Sequence, residues 1–224
     1  MTTEPFLRLV LFLALIGSIC WPLEWLFPKR APRFTPKAWA VDLLWLAPGA
    51  LTLTFIVGPT LKWLALEPAV DHRAFRFALA FFAAELASYF SHRAMHSFAF
   101  LRRFHAVHHE PRELDWLKTW HQHPVDVALH GLAVGLPGVL LGVPFAGLGT
   151  LVLLRRLWSA VLHANVRVRL SVLEHVIASP HFHHTHHTRS FTNFAGLFPW
   201  IDRLFGTHAT MVECRALLPR RAVP

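Results

Sequence analysis

Five apolar stretches, each bounded by charge or by Pro and Gly, run through this 224-residue chain and leave it few folds to choose from. In a bilayer core the backbone must satisfy its own polar groups, so long apolar segments fold as helices. The first stretch runs from Phe6 to Phe27, broken only by Arg8 and Glu24. It is long, ends in Trp-Pro-Leu-Glu-Trp and has no small-residue cleavage pattern behind it, so it reads as a retained span rather than a signal peptide. The second runs from Trp39 to Leu66, with Pro48 and Pro59 expected to kink it. The third, Phe75 to Phe90, continues helically into His92 and His96. Val125 to Ala164 is too long for one crossing, and Gly142-Val143-Pro144 offers a hairpin that divides it. Strand patterning is weak throughout. The expected fold is therefore all-α: an integral membrane protein with about four to five transmembrane helices.

Composition supports the membrane. Apolar residues make up 54% and charged residues 16% of the chain, far too apolar for disorder. Two cysteines, Cys20 and Cys214, exclude a disulfide scaffold. The net charge of +9 suits an anionic membrane surface better than nucleic acid in so apolar a chain. Segment 28–38 carries Lys29, Arg30, Arg33 and Lys37, whereas segment 67–74 carries Glu67, Asp71 and Arg73. By the positive-inside rule the first is cytoplasmic and the second is not. The N-terminus then lies on the opposite side, and every histidine cluster falls in one cytoplasmic helical cap. Three regions follow: a transmembrane hairpin over 1–74, a histidine-bearing domain over 75–210 and a basic tail over 211–224.

Histidine is the compositional outlier. Of 17, 15 lie between His92 and His187. H-R-A-M-H places His92 and His96 at i and i+4. H-A-V-H-H places His105, His108 and His109 at i, i+3 and i+4, and His183, His186 and His187 repeat that spacing inside H-F-H-H-T-H-H. Such positions share a helix face, so each triplet is expected to aim its imidazoles at one point. His121 and His123 stand in W-H-Q-H-P, and His163 precedes Asn165 in H-A-N at the end of the fifth stretch. Neutral imidazole ligates Fe, Zn, Cu and Ni. These groups exceed the needs of one tetrahedral zinc and suit two metals of higher coordination number. No paired Glu-x-x-His motif is present, which argues against a soluble carboxylate di-iron bundle. The isolated His72, His130, His175 and His208 read as ordinary hydrogen-bonded residues.

The ordered set H-x3-H, H-x2-H-H, a later H-P, a span-end His and P-x2-H-x2-H-H resembles the fatty acid hydroxylase / sterol desaturase superfamily, integral-membrane, O2-dependent di-iron enzymes. The ending N-F-A-G-L-F-P-W-I-D-R-L-F-G-T over 193–207 is similar to that family's, except that Ile201 separates Trp200 from Asp202. The resemblance covers roughly residues 80–207. It implies that His92, His96, His105, His108, His109, His183, His186 and His187 hold two Fe ions, with His163 and His123 as further ligands and His121, His181 and His184 as extras. It implies O2 as co-substrate, a membrane lipid as substrate, and hydroxylation or desaturation of an unactivated C–H bond. Sterol, fatty acyl, carotenoid and ether-lipid classes all stay open. No haem or flavin module is fused, so electrons would come from a separate ferredoxin- or cytochrome-type donor. Arg93, Arg102, Arg103 and Arg112 are available to dock an acidic donor or anionic headgroups. Phe81, Phe82, Tyr89, Phe90 and Trp158 are available to line an apolar substrate slot.

Glu85, Asn165 and Asp202 are the candidate catalytic groups. Glu85 lies seven residues before His92, and Arg156 seven before His163, so both sit about 10 Å, two helical turns, from the ligand layer. Charges at that depth need partners, and Glu85 is expected to pair with Arg155 or Arg156, or to accept a hydrogen bond from a ligating histidine. The competing reading is a non-redox metal protein, a zinc-dependent membrane hydrolase or a metal transporter. A hydrolase calls for a Glu inside its His motif, and Glu110 lacks that spacing. A transporter places its ligands at mid-membrane.

Overall fold

The computed structural model describes residues 4–31, 35–67, 71–168 and 170–209. The expected basic tail over 211–224 lies outside these residues, as does Arg33. Every regular element among the described residues is helical; the one extended pairing is an isolated antiparallel bridge between Pro28 and Val166.

The first seven α-helices are α1 (Glu4–Leu26), α2 (Pro36–Thr52), α3 (Gly58–Leu64), α4 (Arg73–Ser97), α5 (Ala99–His109), α6 (Pro124–Leu140) and α7 (Phe145–His163). Two more follow, α8 (Pro180–Thr188) and α9 (Pro199–Leu204). Four of these nine, α2, α6, α8 and α9, start on a proline, where the missing N–H is one of the helix's unpaired donors anyway. Ser179 caps α8 by accepting from the Phe182 amide at 3.3 Å. The turn between α6 and α7 falls at Leu141–Pro144, with Gly142 at φ 66°, a left-handed conformation that favours glycine.

The second apolar stretch is one helical path from Pro36 to Leu64. Between Pro48 and Pro59 it widens into a π-helical segment, Leu53–Val57, closed by the Gly58 amide donating to the Leu53 carbonyl. Pro59 lacks a donor and crowds the Phe55 carbonyl inside this segment, and the wider turn absorbs this. Thr52 Oγ1 donates to the Pro48 carbonyl at 2.8 Å.

Among the described residues three segments are long and apolar enough to cross a bilayer: Leu9–Leu26, Pro36–Leu64 and Phe145–His163. Helix α6 is apolar but has 17 residues, and α4 carries Arg73, Arg76, Glu85, His92 and Arg93 along its length. Helix α4 packs along α6. The chain is an integral membrane protein.

Two apolar clusters support the histidine-bearing end. Ile16 and Cys20 of α1 pack with Trp116, Leu117 and Trp120 and with Ala160 and Ala164 at the end of α7. Tyr89, Leu162, Phe182, Phe194 and Ile201 join α4, α7, α8 and α9. Glu24, one of two charges in the first stretch, accepts from the Trp116 and Asn165 amides, each at 2.8 Å. The Arg167 amide donates to the Phe27 carbonyl at 2.8 Å. The C-terminal ends of α1 and α7 therefore meet at one level.

Candidate metal centre

Nine histidines converge in two adjoining groups. His92 and His96 of α4, His105 and His109 of α5 and His186 of α8 form one. His108 of α5, His163 of α7 and His183 and His187 of α8 form the other. Within each group the ring nitrogens lie within 4.8 Å of one another. The expectation that each H-x2-H-H triplet serves one point is corrected here. Residues i and i+4 are about 40° apart around a helix, but i+3 and i+4 are about 100° apart. So His105 and His109 go to one group while His108 turns to the other, and α8 repeats the division with the groups exchanged.

The outer ring nitrogens fix which inner ones are lone pairs. Nδ1 of His92 donates to the Phe194 carbonyl at 2.8 Å, and Nδ1 of His105 to Asp126 Oδ2 at 2.8 Å. Nδ1 of His108, His163 and His186 donate to the carbonyls of His121, Ser159 and Thr192 at 3.2, 2.7 and 2.7 Å. Those oxygens only accept, so each Nδ1 carries the proton. Burial keeps the rings of α5 and α8 neutral: His108 is pushed down to about 3, and His105, His109, His183, His186 and His187 are lowered too. With Nδ1 holding the proton, His92, His105, His108, His163 and His186 each turn an Nε2 lone pair inward.

In the pairs His92–His105 and His108–His163 two such lone pairs face each other. The Nε2–Nε2 separation is 3.1 Å for His92–His105 and for His108–His163. The pairs His163–His183 and His109–His186 stand at 3.1 and 3.0 Å. Facing lone pairs repel unless a cation lies between them. Two imidazoles bound at about 2.1 Å and at right angles stand about 3.0 Å apart, against about 3.4 Å at a tetrahedral angle. Both nitrogens of His96 and of His187 are buried without a hydrogen-bond partner among the described residues. The donor set thus fits metal ions, and five imidazoles in one group exceed a tetrahedral zinc site.

The other expected site residues take different places. His123, expected as a ligand, lies outside both groups. Its Nδ1 accepts from the Val125 amide at 3.1 Å as the cap of α6, and its ring packs 4.8 Å from that of Phe104. Asn165 is an anchor: its side chain accepts from the Arg30 amide at 3.2 Å and donates to the Arg30 carbonyl at 2.9 Å. Asp202 is buried and accepts from the Phe194 and Ala195 amides, each at 2.8 Å, and from Thr207 Oγ1 at 2.7 Å. It shapes the loop whose Phe194 carbonyl holds His92. Glu85 is ion-paired with Arg155 and accepts from the Leu197 amide at 3.2 Å. Arg156 instead donates to Gln122 Oε1 at 3.2 Å. Glu85 and Asp202 therefore fix the 194–197 loop from two sides, and both are positioning residues. His184 accepts at Nδ1 from Lys29 Nζ at 2.7 Å, and His121 donates from Nδ1 to Asp42 at 2.8 Å. Of the five aromatic candidates for a slot, Phe90 lines an apolar groove of about 550 Å³ with Met95, Leu101 and Leu136, whereas Tyr89 is fully buried.

Two residues were missed. Asp126, 2% exposed, fixes the tautomer of His105. Asp42, also 2% exposed, holds both Lys118 and His121. The His121 carbonyl in turn holds His108. Each was visible as a lone acid inside an apolar run, the pattern that marks function in membrane segments.

Helices in a membrane protein that hold two facing groups of imidazoles define a membrane metalloprotein. The chain belongs to the fatty acid hydroxylase family, whose profile matches residues 77–207. It is 32% identical over 140 residues to the ornithine lipid hydroxylase OlsE of Rhizobium tropici, covering 60% of this chain and 42% of that protein. It is 29% identical over 121 residues to methylsterol monooxygenase 1 of Rattus norvegicus, covering 53% and 41%. It is 26% identical over 164 residues to the human fatty acid hydroxylase domain-containing protein 2, covering 70% and 43%. The matches thus take in less than half of each of these relatives. No solved structure matches the chain significantly.

Proposed function

We propose that this protein is a membrane lipid hydroxylase that holds two iron ions and uses O2 and electrons from a separate ferredoxin- or cytochrome-type donor. The observation that carries this reading is the set of Nε2 lone pairs facing each other across two adjoining groups. Iron bound there supplies O2 activation and the oxidation of an unactivated C–H bond, one oxygen atom entering the bond and the other leaving as water. The two relatives whose names state an activity act on lipids, which favours a lipid substrate here.

The protein's own residues orient and shield. Asp126 and the carbonyls of Phe194, His121, Ser159 and Thr192 hold the ring tautomers. The buried segment Trp116–Trp120, tied to Asp42 through Lys118, keeps water from one flank. The basic residues beside the site support a cytoplasmic cap. Helix α1 ends at that level, and its 23 residues span about 35 Å, a length that supports a start on the opposite side of the membrane. Arg102 and Arg103 are exposed on α5, a surface suited to an acidic donor. The site falls within the proposed domain 75–210, behind the hairpin 1–74.

The test is metal content after expression in iron-57 medium, with Mössbauer spectroscopy, then lipid turnover with O2 and reductant. About two irons per chain with a coupled signal and an alcohol product support the reading. One zinc and no iron after iron-replete expression would overturn it in favour of a hydrolase or transporter.

A further inference from the structure

A cavity of about 1050 Å³ opens beside the two histidine groups and is lined by His109 from one and His187 from the other. Four further lining residues, Lys29, Arg30, Arg112 and Arg167, carry positive charge, and among the described residues no carboxylate lines the cavity. They come from three separate loops that the fold brings together. Asn165 holds the backbone of Arg30 from both sides, the Pro28–Val166 bridge sets Arg167 beside that loop, and Arg30 Nη1 donates to the Arg112 carbonyl at 3.5 Å.

We propose that this cavity seats the anionic headgroup, phosphate or carboxylate, of the lipid that the protein oxidises. The inference rests on the hydroxylase reading and adds the substrate class and the place of reaction. Gathering four like charges around a concavity is unfavourable unless an anion enters it. Positive-inside residues with no other role can each extend into water instead. Burial and the neighbouring Arg30 already press the Lys29 ammonium down to about 8, the direction an incoming anion reverses. Glu110 and Glu113, on the same loop as Arg112, do not line the cavity. The volume is that of a small-molecule site, enough for a headgroup and the first chain carbons. Because His109 and His187 line the same space, the carbon oxidised lies in or next to the headgroup.

The test is equilibrium binding to the iron-loaded protein in neutral detergent, without reductant. The probes are dihexanoylphosphatidate, dihexanoylphosphatidylcholine and inorganic phosphate. The expected result is one saturable site for the phosphatidate, with the phosphatidylcholine and inorganic phosphate each about tenfold weaker or more. The Arg112→Gln/Arg167→Gln variant, checked for unchanged iron content and melting, loses about tenfold or more in phosphatidate affinity. Equal binding of the two lipids by the unmodified protein overturns the proposal whatever the variant does. Inorganic phosphate binding as tightly as the phosphatidate overturns the lipid assignment in favour of free phosphate. Loss of the site with iron and turnover intact overturns the seat alone, whereas saturable anion binding by a protein that takes up no iron retains the seat and removes the hydroxylase reading.

Discussion

Asp126 Oδ2 accepts the Nδ1 proton of His105 at 2.8 Å, joining the first turn of α6 to the centre of the five-histidine group. The carboxylate orients the ring and raises the basicity of the opposite nitrogen. Asp126→Asn should lower iron affinity or turnover about 10- to 100-fold. Metal content after dialysis against a mild chelator checks this; unchanged iron retention would remove Asp126 from the metal centre's support.

His108 and His109 are neighbours in sequence but belong to different groups. His109→Ala should therefore disturb the five-histidine group and His108→Ala the four-histidine group. Iron-57 Mössbauer spectra of the two variants should lose different components. Identical spectral losses would contradict the division.

His123→Ala should leave iron content unchanged, because this ring caps α6 rather than facing either group. Losing the cap should cost about 1 kcal/mol of stability. Elemental analysis and thermal melting on one preparation separate the two effects.

Glu85→Gln should destabilise the fold by about 3–5 kcal/mol, since it leaves Arg155 buried without its counter-charge. Replacing both partners with apolar residues, Glu85→Leu with Arg155→Met, should recover much of that loss. Melting temperatures in one detergent compare the three forms. A Glu85→Gln protein as stable as the parent would show that the pair contributes nothing.

Burial holds His108 and His184 near 3, well below the ordinary 6.5. The unfolded chain then binds more protons than the folded one between these values, so folding stability rises with pH across that window. The stabilisation is full above about 6.5 and is lost as pH falls toward 3. The melting temperature of the metal-free protein should fall steadily as pH drops below 6.5. A melting temperature independent of pH down to 4 would refute this.

The helical class and the gathering of nine of the ten expected histidines were legible because both depend on local spacing: apolar runs for the helices, i, i+3 and i+4 for the rings. His123 looked like the others because capping and ligation both use an imidazole beside a helix start, and only the backbone path tells them apart. Asn165 stood near a ligand in sequence, yet its partners lie 135 residues away on the Arg30 loop. Asp126 and Asp42 act on His105 and His121 through tertiary contacts that no local pattern encodes. The pairing of Glu85 could be argued from depth alone, but the choice of Arg155 over Arg156 depends on the direction each side chain leaves α7.

Helices α5 and α8 each send adjacent residues, His108–His109 and His186–His187, to opposite groups. The distance between the two groups is therefore gauged by a single peptide unit on each of two rigid helices, not by flexible side chains. An ion that seats in one group fixes the rotation of both helices and so aligns ligands of its neighbour. Loading of the two positions should then be cooperative, with a half-filled protein scarce during iron titration.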